Sequence, residues 1–195
     1  MIFMPAVDEI YPRDKTEIPH YNLGYLEEIL EGFYRPGHFQ GVCRVVHRLL
    51  TIVHPDMLFL GQKDYQQYMV IRKMMNDCSI SAPIYICPTL REPDGLAMSS
   101  RNMRLSPAGR EKAAAIFKSL NFVKENIAHY DIDDLKETAN RMIKEAGFDK
   151  VDYVEICDSV TLKPVMHYDN ETKLLVLAAA FMEGIRLIDN LIING

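Results

Sequence analysis

The sequence predicts an α/β protein: part of a parallel sheet built around a crossover helix, followed by a smaller α+β lobe carrying an antiparallel sheet. Three observations carry this. Met57-Leu58-Phe59-Leu60 and Ile84-Tyr85-Ile86-Cys87 are short apolar runs separated by a helical pattern, so strand, helix and strand form a right-handed βαβ unit with parallel strands. Two helix-like stretches follow it. Three apolar runs then close the chain, and Glu183-Gly184 between the last two reads as the tight turn of an antiparallel hairpin.

Taken in order, Met1-Ile2-Phe3-Met4 reads as the end of a buried strand closed by Pro5. A chain that starts inside a strand leads to the expectation that a front segment is missing. Residues 7–21 are loop-like, with Pro12, Pro19 and mixed charge, and 23–30 fit a short helix. Arg35-Pro36-Gly37-His38 is a turn. From Gly41, the residues Val42, Val45, Val46, Leu49, Leu50 and Val53 make a one-sided helix that Pro55 ends. Residues 57–60 have no polar interruption, as expected of a strand buried on both faces. Gly61 breaks that run, and from Asp64 the residues Tyr65, Tyr68, Met69, Ile71, Met74 and Met75 recur at helical spacing, the methionines as core filler. Ser106-Pro107 places a hydroxyl at an N-cap and proline at the first helical position. That helix carries Ala114, Phe117 and Leu120 and is expected to reach Ala128. Asp131, Asp133 and Asp134 open another, with Gly147 as its C′ residue. The strand candidates are 151–156, 174–181 and 185–193.

Composition removes several classes of function. The 195 residues are 48% hydrophobic, enough for a proper core and against disorder. A net charge of −5 gives no reason to expect nucleic-acid binding. Cys43, Cys78, Cys87 and Cys157 are scattered, without metal or C-x-x-C spacing, and read as buried reduced thiols of a cytoplasmic protein. There is no signal-peptide pattern, and no run approaches the ~20 apolar residues of a membrane span.

In a parallel pair both strands end at one edge of the sheet, where ligands of open α/β sheets bind. Gly61-Gln62-Lys63-Asp64 leaves that edge after the first strand, and the loop 89–102 leaves it after the second. Lys63, the free amides of a helix start, the hydroxyls of Ser99 and Ser100 and the fork of Arg101 can converge there. Such a set of cations and donors suits a polyphosphate, and a nucleotide is the natural ligand. Taken singly, each has a plainer reading. Asp64 and Gln67 form a capping-box pattern, Lys63 is a solvated loop lysine, and Ser99-Ser100-Arg101 is a polar loop. His38 fits a structural hydrogen bond as well as a ligand contact. It is the joint placement at two ends of one edge that favours the site.

Several long motifs, in order, carry a resemblance. Arg35-Pro36-Gly37-His38-Phe39-Gln40-Gly41-Val42, Gly61-Gln62-Lys63-Asp64-Tyr65-Gln66-Gln67, the run Pro88-Thr89-Leu90-Arg91-Glu92-Pro93-Asp94-Gly95-Leu96-Ala97-Met98-Ser99-Ser100-Arg101-Asn102 and Arg186-Leu187-Ile188-Asp189-Asn190 resemble the pantoate–β-alanine ligase family. The resemblance covers essentially the whole chain. It implies a Rossmann-like, class I synthetase-like nucleotidyltransferase fold, with 1–89 as the rear of the nucleotide-binding domain and 90–195 as an α+β lid. The implied reaction joins pantoate and ATP into pantoyl adenylate with loss of pyrophosphate, after which β-alanine displaces AMP to give pantothenate. Carried over, Gly61, Gln62, Lys63, Asp64, Met98, Ser99, Ser100 and Arg101 contact ATP, Leu90 lies near the adenine, and Gln67 hydrogen-bonds pantoate. Lys63 and Arg101 are then the charge-stabilising catalytic pair. Gln67, four residues after Lys63, falls on the same helical face. Magnesium (Mg2+) is implied as companion of the phosphates, with no protein ligand assigned to it. A homodimer is implied for the complete family protein.

Two features depart from the family. Its early H-x-G-H motif is absent: no two of His20, His38, His47, His54, His129 and His167 are three apart. The early glutamine and acidic positions of the pantoate and metal sites are missing too. The chain therefore reads as the rear two-thirds of such an enzyme, inactive alone. Gln62 stands where a glutamate is common, which removes a negative charge beside the phosphates. The alternatives are another nucleotidyltransferase of the same superfamily and a non-catalytic ATP-binding remnant.

Overall fold

The structure is a computed structural model that describes residues 2–11 and 19–194. Two compact units make up the chain: Met1–Leu60 with Gln66–Ile86, and Gly61–Tyr65 with Cys87–Gly195.

In the first unit, α1 (Val7–Ile10), α2 (Tyr25–Glu28), α3 (Leu30–Tyr34) and α4 (His38–Val53) precede the βαβ unit of β1 (Leu58–Gly61), α5 (Tyr65–Asp77) and β2 (Ile84–Cys87). β1 and β2 form a two-stranded parallel sheet. The apolar stripe of α4 supplies Phe39, Cys43 and Leu50 to a core shared with Val70, Ile71, Met74 and Met75 of α5, so the methionines are core filler. Leu58, Leu60 and Ile84 pack against that core. The other face of the strands is not covered among the described residues: Phe59 is 58% exposed, and its ring stacks on Tyr85 with centroids 5.2 Å apart. The expectation of a strand buried on both faces is thereby corrected. Alternation with period two dominates because one helical layer covers one face.

Ile2, Phe3 and Met4 are exposed and outside any strand, contrary to expectation, because no described strand pairs with them. Residues 7–10, expected as loop, form α1, where Glu9 reaches back to accept the Ala6 N–H at 2.6 Å. Met1 and Pro12 lie outside the described residues. His54 ends α4 in the left-handed region, one residue before Pro55. Gln66 is buried, accepts the Glu31 N–H and donates to the carbonyls of Leu26 and Ile29, clipping α2 and α3 to α5.

The second unit holds α6 (Pro107–Ala113), α7 (Ala115–Asn126), α8 (Ile132–Glu145), β3 (Lys150–Asp158), β4 (Leu174–Met182) and β5 (Ile185–Ile192). The strands form an antiparallel sheet in the order β3-β4-β5. Its core joins Ile116, Leu120 and Val123 of α7, Leu135, Ala139 and Ile143 of α8, and Ile156, Leu174, Val176 and Ala178 of the sheet. Glu183 and Gly184 both have positive φ, as a two-residue hairpin turn in a twisted sheet requires. Ser106 caps α6 by accepting the Gly109 N–H at 3.0 Å, and Gly147 closes α8 at φ +94°. The single helix expected from 107 to 128 is instead two, broken at Ala114 and ending at Asn126. The break lets Ala113, Ala114 and Ile116 all reach the core, a wide arc for one straight helix. At the far end the Asn126 side-chain amide takes the Phe122 carbonyl. All four cysteines are free, but Cys87 is exposed and Cys78 only half-buried, because each sits at the end of an element. Among the described residues no helix is long and apolar enough to cross a membrane.

Candidate active site

Within the second unit, Lys63, Ser99, Arg101, Asn102, Arg186 and Asp189 line one small recess. Its cavity volume is about 10 Å3, room for one water molecule, so a larger anion would meet these side chains at the mouth.

Lys63 reaches the recess from a 3-10 turn, Gln62–Asp64, that runs directly into α5. The turn places Asp64 inside the helical run, which removes the capping box that its spacing with Gln67 suggested. Burial pulls the Lys63 ammonium below the usual lysine range, and Arg101 adds to the shift while Asp64 and Asp189 oppose it. Arg101 arrives on a second 3-10 turn, Ser100–Arg104, that Ser99 caps by accepting the Arg101 N–H at 3.2 Å. Its guanidinium donates to the Arg186 carbonyl at 3.4 Å. Two cations far apart in sequence thus border the same recess, the arrangement that electrostatic stabilisation of a polyphosphate requires.

The other expected residues fall into two groups. Gly61, Asp64, Met98 and Ser100 are exposed beside these turns, Gln62 is half-buried, and Leu90 is 75% exposed with its carbonyl accepting the Met98 N–H at 2.9 Å. Gln67 is a half-buried residue of α5 with no side-chain hydrogen bond among the described residues. His38 opens α4 and tilts its ring against Phe39 at 5.2 Å.

Sequence reasoning assigned no role to the strand that floors the recess. In β5, Asp189 is buried and receives Arg91 through two hydrogen bonds of 2.6 and 3.0 Å. Burial raises the Asp189 carboxyl, against the pull of Arg91 and the Asn190 N–H; the bidentate contact holds it as the ionised partner. Arg91 also donates to the carbonyls of Gly95 and Asn190 and lies 4.2 Å above the Phe117 ring. Asn190, 1% exposed, donates to the carbonyls of Gln62 and Lys63, each at 2.9 Å, and accepts from the Gln62 amide at 3.2 Å. Arg186 borders the recess too, but its Nε donates to Asp152 at 2.8 Å, which offsets its charge. Asn102 donates to the Ala97 carbonyl, while its Oδ1 is buried without a partner among the described residues. The available signal was compositional: Asp189 and Asn190 are consecutive polar residues in a strand whose other residues, Arg186 apart, are apolar.

A parallel βαβ unit, together with a recess in the second unit bordered by Lys63, Arg101 and Arg186, defines an α/β protein with a cation-lined site. The comparisons with known proteins name the kind. The family described as pantoate-beta-alanine ligase matches residues 1–192. The pantothenate synthetase of Cytophaga hutchinsonii is 42% identical over 196 residues, covering 99% of this chain and 68% of that protein. That of Thermotoga petrophila is 44% identical over 201 residues, with the same coverage. The crystal structure of pantothenate synthetase from Thermus thermophilus superposes with a TM-score of 0.91 at 34% identity, over 98% of this chain and 68% of that one. A Francisella tularensis pantoate-beta-alanine ligase, complexed with beta-gamma ATP and beta-alanine, gives 0.70 at 33% identity, covering 95% and 61%. The chain belongs to the pantoate–β-alanine ligase family, ATP-dependent enzymes that condense pantoate with β-alanine. It spans about two-thirds of the length of these relatives.

Proposed function

We propose that the mouth of the recess binds the β- and γ-phosphates of ATP while the pantoate carboxylate attacks the α-phosphorus. That bond forms as the bond to pyrophosphate breaks. The β-alanine amine then attacks the acyl carbon of pantoyl adenylate, expelling AMP. Charge accumulates on pyrophosphate in the first step, so the protein's work is positioning and charge stabilisation. Lys63 supplies a compact charge and Arg101 a planar fork for two oxygens. Ser99 and Ser100 add donors without charge, with Gly61, Gln62, Asp64 and Met98 alongside the phosphates. Leu90 gives the adenine an apolar contact, and Gln67, whose amide makes no hydrogen bond among the described residues, takes the pantoate hydroxyls or carboxylate. The observation that carries this reading is the convergence of Lys63 and Arg101 on one recess.

Magnesium would be held by phosphate oxygens and water rather than by a protein cage. Among the described residues no three His, Cys, Asp or Glu side chains converge, and Asp189 is committed to Arg91. A cytoplasmic location, supported by four free thiols, and a homodimeric assembly, supported by the resemblance to the family, complete the proposal. The test is pantoate-dependent exchange of labelled pyrophosphate into ATP by the protein carrying this chain. Exchange driven by a different acid would move the assignment to another nucleotidyltransferase.

A further inference from the structure

Resting on that reading of the recess, we infer that Asn190 is a positioning residue whose side-chain amide sets the placement of Lys63. Gly61–Tyr65, from the last residue of β1 to the first of α5, clusters with the second unit. Three hydrogen bonds from Asn190 grip it: two from Nδ2 to the Gln62 and Lys63 carbonyls, and one to Oδ1 from the Gln62 amide. Tyr65 adds a fourth tie, donating to the Ser159 carbonyl at 2.8 Å. A lysine side chain has four rotatable bonds, and fixing the peptide groups on both sides of its Cα sets the origin from which its ammonium reaches the recess.

Asn190 is itself held. Its N–H donates to Asp189 Oδ1 at 2.8 Å, and its carbonyl accepts from Arg91. The same β5 segment also receives Arg101, through the Arg186 carbonyl. One strand therefore sets both cations, Arg101 by its backbone and Lys63 by the Asn190 amide. No other residue type of this size does the job. Aspartate keeps the shape but turns a lone pair toward two carbonyls it should donate to, and leucine leaves those carbonyls and the Gln62 amide unpaired in a buried place.

The test is Asn190→Asp in two backgrounds, wild type and Lys63→Ala, assayed by pantoate-dependent pyrophosphate exchange, with folding followed by circular dichroism. A displacement of about 1 Å in a catalytic group costs on the order of 100-fold in rate. The expected result is therefore a loss of about that size in kcat, with KM for pantoate held within about 2-fold, and a loss under about 2-fold when Lys63 is already alanine. An equal loss in both backgrounds assigns Asn190 a purely structural role and overturns the inference. So does an unchanged rate. Should Asn190→Asp fail to fold, Asn190→Ser, which retains one donor, is read in the same cycle against the same criteria. Absence of exchange in the wild-type protein that carries this chain overturns the reading of the recess and the inference with it.

Discussion

β4 and β5 are neighbours in one antiparallel sheet and run over similar lengths, yet they are built on different principles. β4 reads Leu174-Leu175-Val176-Leu177-Ala178-Ala179-Ala180-Phe181-Met182 and carries no polar side chain. Every one of its residues but Phe181 is buried. β5 is buried at half of its positions, but it places Asp189 and Asn190 side by side in its interior and satisfies both with partners from distant loops. The difference teaches where this fold keeps its stability and where it keeps its chemistry. β4 contributes through apolar area removed from water. β5 commits part of its buried length to polar groups that cost free energy unless every hydrogen bond is made, and those hydrogen bonds hold the two loops that bring Lys63 and Arg101 to the recess.

The comparison is sharpest at Asp189. Removing its carboxylate leaves the Arg91 guanidinium, 18% exposed, without its partner. Asp189→Ala is expected to destabilise the protein by about 3–5 kcal/mol, as broken buried ion pairs do, read by urea unfolding, and to lower pyrophosphate exchange as well. In β4 the two properties should separate. Leu174→Ala empties part of the core and is expected to cost about 2–5 kcal/mol of stability, with exchange measured below the melting transition unchanged. A β4 variant that lost turnover while still folded would erase the contrast between the strands.

The reverse separation is expected at the recess. Lys63→Ala and Arg101→Ala should each remove at least about 2–4 kcal/mol of transition-state stabilisation, with little change in the unfolding midpoint. Near wild-type exchange in either variant would remove that residue from the mechanism. Gly95 gives a smaller test of the Arg91 platform. Its φ is +90°, and a Cβ there would stand 2.0 Å from the ring of Phe117, the ring beneath Arg91. Gly95→Ala is expected to cost about 1–3 kcal/mol, with a partial loss of exchange as Arg91 shifts.

The smallest effect concerns pH. Burial lowers the Lys63 pKa in the folded state, so between that value and the ordinary lysine value the unfolded chain binds more protons. Stability should rise with pH across that window, while exchange falls as the ammonium is lost. Arg101→Ala removes one cause of the depression, and the Lys63 side-chain titration followed by nuclear magnetic resonance should move upward. An unchanged titration would mean the two cations do not sense each other.

What was legible in the chain was local. The Glu183-Gly184 hairpin, the Ser106-Pro107 helix start and the Gly147 stop each depend on the backbone preferences of one or two residues, and all three are present. The βαβ unit followed from periodicity. What was not legible depends on groups distant in sequence. Asn190 meets Gln62 and Lys63 across 128 and 127 positions, and Arg91 meets Asp189 across 98. No period or propensity encodes such contacts. The exposed face of Phe59 and Tyr85 was missed for a related reason: an apolar run records what a strand can bury, not which layers cover it. The break at Ala114 carried neither glycine nor proline to mark it.

The most direct measurement is an experimental structure of the protein bound to a non-hydrolysable ATP analogue. The account requires the β- and γ-phosphate oxygens to lie within hydrogen-bonding distance of both the Lys63 ammonium and the Arg101 guanidinium. A triphosphate bound in order elsewhere, touching neither side chain, would contradict it.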